Sequence, residues 1–168
     1  MKIINLILFL LITVQINAQD YFLKNNGPYN DKIMSPEEFL GYEIGFEHTR
    51  HDLIISYLNY LSNSSDNAQI IEYGRTHEGR KLVMLTVSSS SNLNNIGEIQ
   101  RIHLKYTNPE NKDKIDNNLP IIINLGYGVH GNEPSSSEAA MLTAYTMVAS
   151  ESNKIKKFRD RSLSLIHI

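Results

Sequence analysis

The stretch from Leu119 to Pro134, LPIIINLGYGVHGNEP, limits what this chain can become more than any other part of it. Its β-branched run Ile121-Ile122-Ile123 reads as a buried strand. The run gives way to a loop holding Gly126, Gly128 and Gly131, which carries His130 and, three residues later, Glu133. Pro134 then suits the first turn of a helix. A strand that hands an imidazole and a carboxylate to a glycine loop at its C-terminal end is a recurring way to hold a catalytic metal. The glycines matter because they keep side chains away from the point where the two donors converge.

Composition narrows the choice of metal and of partner. The chain has 168 residues and no cysteine, so disulfides, thiolate zinc fingers and a lipid-modified cysteine are excluded and any metal needs nitrogen and oxygen ligands. A net charge of -2 gives no sign of a nucleic-acid partner or a polybasic membrane-surface face. Hydrophobic residues at 41% suit a single globular core.

Residues 1–18 are different in kind. Lys2 precedes an apolar run from Ile3 to Val14, and Gln15-Ile16-Asn17-Ala18 offers a processing site. This is the pattern of a secretory signal peptide, with an uncleaved membrane anchor as the alternative. Cleavage near Gln19 predicts a secreted, periplasmic or extracellular protein with no stable membrane insertion.

Along the rest of the chain, Asp20 to Lys32 reads as an extended lead-in. Ser35-Pro36-Glu37-Glu38 is a capping box for a brief helix ended by Gly41. Thr49 is expected to cap a longer helix whose buried stripe is Leu53, Ile54, Tyr57, Leu58 and Leu61. His48 and His51 at its start read as exposed polar residues rather than a metal pair. Gln69 to Tyr73 and Leu82 to Val87 flank a glycine turn as a β-hairpin, and Ser88 to Ser91 reads as a loop. An amphipathic helix follows through Ile96, Ile99, Ile102, His103 and Tyr106. After Glu133 a helix should reach about Ser152, and Lys154 to Arg161 reads as a surface segment. Helix, hairpin, helix, strand and helix in this order indicate an α/β fold. The last residues, Leu163 to Ile168, match the translation of a transposon end used in sequencing libraries, and are expected to be foreign to the domain. A genuine apolar strand is the alternative.

A lone H-x-x-E pattern decides little. Six histidines and eleven glutamates in this length give roughly 0.4 chance matches. Glu133 would also favour a helix N-terminus without any metal.

In context the sequence resembles the zinc-dependent metallocarboxypeptidases. Three pieces carry the likeness: Tyr73-Gly74-Arg75-Thr76-His77-Glu78-Gly79-Arg80-Lys81-Leu82, with E-G-R in the turn; the strand Pro120 to Leu125; and His130-Gly131-Asn132-Glu133-Pro134. The resemblance implies a mixed β-sheet flanked by helices, incomplete here, with residues 19–162 as the N-terminal part of a zinc carboxypeptidase domain. It implies Zn2+ as cofactor, His130 and Glu133 as two of its three protein ligands, and a peptide or protein with a free C-terminus as substrate. The third ligand, the carboxylate-binding arginines and the general-base glutamate come well downstream in the family. His77 and His103 precede the motif, and His167 follows it too closely. Asn132 stands where some pancreatic-type members carry an arginine, so their subsite contacts do not transfer. The expectation is therefore a truncated secreted metallocarboxypeptidase, inactive alone. A related zinc-dependent deacylase or cell-wall peptide hydrolase, and a non-catalytic binding module of the same fold, are the alternatives.

Overall fold

A computed structural model describes residues 23–111 and 116–168. The signal-peptide reading of residues 1–18 lies outside the described residues. No helix among the described residues is long and apolar enough to cross a membrane.

Residues 23–26, in the stretch expected to be an extended lead-in, form a helical turn; α1 (Pro36–Leu40) and α2 (His51–Ser64) follow, then the hairpin β1 (Ala68–Arg75) and β2 (Lys81–Val87). Two helices follow, α3 (Ser90–Asn94) and α4 (Ile96–Thr107), then β3 (Ile121–Gly126), α5 (Pro134–Ala149), α6 (Asn153–Arg161) and β4 (Ser162–His167). Local chemistry explains the boundaries. In α1 the Ser35 side chain accepts from the Glu38 N–H while the Glu38 carboxylate accepts from the Ser35 N–H, and Gly41 closes the helix at φ 80°. Gly79 turns the hairpin at φ 79°.

The four strands form one mixed sheet in the order β1-β2-β4-β3. β4 runs antiparallel to β2, with Leu85 opposite Ile166, and parallel to β3, with Ile123 opposite Ser164. The parallel pair is joined by α5 and α6, as a parallel crossover requires. Val83, Leu85, Val87 and Ile166 face the main core, where they meet Tyr57, Leu58 and Leu61 of α2 and Met141, Ala144 and Val148 of α5. A smaller cluster contains Leu93, Ile99 and Leu163.

Several expectations are corrected. Thr49 does not cap α2; Arg50 takes the N-cap position without a side-chain cap, and Thr49 bonds elsewhere. The segment expected to be a loop at Ser88 to Ser91 opens α3, and the surface segment after Lys154 is helical. Its Arg159 is buried and sends one guanidinium nitrogen to the carbonyls of Met147 (2.8 Å), Val148 (3.1 Å) and Ser150 (3.1 Å), closing the end of α5. β3 is not a buried strand. It lies at the sheet edge, with Ile121 58% and Ile122 46% exposed. A continuous apolar run marks a strand but does not say whether both of its sides are covered.

Residues 163–168, expected to be foreign, fill the slot between β2 and β3. Any hexapeptide alternating at period two can occupy such a slot, because the ladder is made of main-chain groups. The fit of the side chains is less good. Ser164 is fully buried and its Oγ has no hydrogen-bond partner among the described residues. An unsatisfied buried hydroxyl costs about 1–3 kcal/mol. Replacing Ser164 by Ala should therefore raise the unfolding free energy by about 1 kcal/mol in urea titrations; a destabilised Ser164→Ala protein would show that the hydroxyl has a partner.

Burial also acts on the core phenols, because ionising them would place a charge in apolar surroundings. Tyr145 is pushed up to about 12 by burial first, and Tyr57 is raised beyond the range of ordinary phenols for the same reason. A raised phenol leaves stability intact below the unfolded value of 10.0 and erodes it as pH climbs through the folded one. The fold should therefore hold to about pH 10 and weaken between there and about 12, with the buried phenols ionising only as it opens. Phenolate absorbance and circular dichroism followed together would test this.

Candidate metal site and its cleft

β3 ends at Gly126, and the next residue is held at both ends. The Tyr127 N–H donates to the His167 carbonyl at 3.1 Å, and its hydroxyl donates to Thr143 Oγ1 at 3.1 Å. The loop then folds back on the start of α5, where the Gly128 N–H donates to Ser136 Oγ at 3.1 Å. Gly128 has φ 63°, and a Cβ there would come within 2.7 Å of Ser137 Oγ. Glycine answers both demands, the left-handed backbone and the close approach to the helix. The turn is completed by the Glu133 N–H donating to the His130 carbonyl at 3.0 Å. Pro134 then occupies the first helical turn, with Glu133 as N-cap.

These constraints bring His130 Nδ1 to 3.2 Å from Glu133 Oε2, with both side chains open to solvent. Nitrogen and oxygen donors at adjacent corners of a zinc tetrahedron, each about 2.0–2.2 Å from the metal, stand about 3.4 Å apart. The pair thus fits one edge of such a site. Without a metal the same contact is an Nδ1–H···carboxylate hydrogen bond. Among the described residues there is no group of three or more histidine, cysteine, aspartate or glutamate side chains able to hold a metal. The described residues bring two such donors together and place no third beside them.

The other sequence histidines go elsewhere. His103 donates from Nε2 to the Pro120 carbonyl at 2.8 Å, tying α4 to the approach to β3. His77 is exposed in the hairpin turn. His167 sits on β4, edge-on to Tyr73 with ring centroids 5.6 Å apart.

A cleft of about 750 Å³ lies beside the loop. His48, Thr49 and His51 line it from the start of α2, Arg80 from the hairpin, and Asn132 and Ser137 from the metal-loop side. His48 and His51 were read from sequence only as exposed polar residues, and the fold makes them part of a cleft wall. Glu138 was missed altogether. It is buried on α5 and accepts from both the Thr49 N–H (2.9 Å) and the Thr49 Oγ–H (3.2 Å). A signal existed: Glu138 shares helical spacing with Met141, Leu142 and Tyr145, so a carboxylate stood on a core-facing stripe.

An α/β protein with an imidazole and a carboxylate converging where a strand passes into a helix invites comparison with metal-dependent hydrolases. The family model for zinc carboxypeptidase matches residues 54–167, and the chain belongs to that family of zinc-dependent metalloproteases. No curated protein and no solved structure matched it.

The loop geometry has a direct test. Gly128→Ala should lower stability by about 1–2 kcal/mol, the penalty for a left-handed alanine, and turn the Ser137 hydroxyl aside. It should also weaken zinc binding in isothermal titration. Unchanged stability and affinity would mean that the loop does not need this conformation.

Proposed function

We infer that the protein is a secreted zinc metallocarboxypeptidase, hydrolysing the C-terminal peptide bond of a peptide or protein substrate. The observation that carries this reading is the 3.2 Å approach of His130 Nδ1 to Glu133 Oε2, which falls inside the family-matched span. His130 and Glu133 would hold the metal, imidazole nitrogen and carboxylate oxygen being donors suited to zinc. Bound zinc supplies a Lewis acid that polarises the scissile carbonyl and activates water.

The chain's own residues contribute position. The Tyr127 N–H bond to the His167 carbonyl and the Gly128 N–H bond to the Ser136 hydroxyl fix the loop backbone against β4 and α5, and that backbone sets where the two donors start. The neighbouring cleft gives a peptide room to lie beside the donors. Export is supported by the signal-like pattern of residues 1–18. Among the described residues no group of three ligating side chains surrounds the pair, and in this reading the third ligand, the general base and the carboxylate-binding arginines come from coding sequence beyond Arg161.

This leads to a paired expectation. The 168-residue chain should bind zinc weakly and release no C-terminal amino acid from blocked dipeptides, whereas the complete gene product should do so in a chelator-sensitive manner. His130→Ala or Glu133→Ala should abolish detectable zinc binding in the chain and activity in the complete protein. A natural stop shortly after Arg161 with no downstream histidine or glutamate would overturn the assignment. Turnover of N-acyl amino acids in place of blocked dipeptides would redirect it to a deacylase. A complete protein unable to acquire zinc would make it a binding module.

A further inference from the structure

Glu138 is a buried carboxylate, 5% exposed, that holds one residue, Thr49. Its Oε1 receives the main-chain and hydroxyl hydrogens of Thr49, 89 positions earlier in the chain. Thr49 Oγ1 in turn accepts from the Tyr42 hydroxyl at 3.1 Å. No ion pair to a lysine, arginine or histidine neutralises Glu138 among the described residues. Burying a carboxylate on two hydrogen bonds is a poor route to stability, since an apolar side chain in the same place costs no desolvation. It does give direction: both donors on Thr49 must point at one oxygen.

The location of the two partners gives that direction a use. Thr49 lies between His48 and His51 on one wall of the cleft, and Glu138 follows Ser137 on the other. Glu138 also stands one turn of α5 beyond the Glu133 end of the metal loop. We propose that Glu138 is a positioning residue: through Thr49 it fixes the His48–His51 wall of the cleft relative to the loop of His130 and Glu133, so that a peptide substrate is held between two walls of set separation. This rests on the cleft being the substrate site of the proposed peptidase, and the test separates the two ideas.

In the complete gene product, Glu138→Gln should raise KM for a blocked dipeptide about fivefold, the scale of one hydrogen bond's net contribution, with kcat within about twofold. Thr49→Ser, which keeps both donors, should behave as the parent, and Thr49→Val, which keeps only the N–H, should fall between. A purely structural role would instead lower the melting temperature and leave KM of the folded protein unchanged, and that result overturns the proposal. The 168-residue chain has no cysteine, so spin labels at Glu47→Cys beside the His48–His51 wall and Val129→Cys in the loop, both exposed positions, report the separation directly. The distance distribution should be narrow in the parent and broaden in Glu138→Gln and Thr49→Val. An unchanged distribution overturns the proposal whether or not the protein proves to be a peptidase. Broadening in a protein without peptidase activity upholds the positioning role and removes only the enzymatic reading.

Discussion

The main-chain ladder of β4 is the interaction on which the other parts depend. On one side it completes the hairpin's sheet through β2; on the other it holds β3 in parallel register. The loop with His130 and Glu133 inherits its position from that second pairing, because the Tyr127 N–H continues the ladder onto the His167 carbonyl. Remove β4 and the hairpin remains a two-stranded unit, while β3 loses its pairing to the rest of the sheet. A hairpin alone is marginal in water, so the packing of α2 and α5 also relies on the third and fourth strands.

Much of this was legible in the residues, and the reasons differ from place to place. The capping box at Ser35, the glycine turn at Gly79 and the strand-loop-helix passage around Gly128 are local devices, so the sequence states them almost directly. β3 was recognisable as a strand, but its exposure was not, because edge or centre depends on who the neighbours are. Thr49 offered the chemistry of a helix cap and was claimed by Glu138, a partner far off in sequence that no local pattern names. Of the candidate site, His130 and Glu133 could be picked out by type and spacing. The wall of His48 and His51 could not, because only the packing of α2 against α5 brings it opposite the loop.

The six residues from Leu163 to Ile168 teach a more general point. Their alternation is enough for a ladder, which asks only for an extended backbone with free donors and acceptors. It is not enough for the side-chain layer, where Ser164 leaves a buried hydroxyl without a partner among the described residues, next to Val87 of β2 and Ile123 of β3. Backbone pairing and side-chain packing make separate demands, so a strand's place in a sheet and its fit to the core are separate questions.

The topology also has a kinetic meaning. The hairpin partners are close in sequence, but Leu85 must wait for Ile166 before the sheet can close. Contacts of such separation form late, because the loop entropy is lost before the pairing repays it. Until β4 inserts, the inner edges of β2 and β3 are both open, and β3 carries the run Ile121-Ile122-Ile123. The interval before insertion is therefore the period in which this chain is most able to pair with another copy of itself, and a chaperone or a low protein concentration would act there.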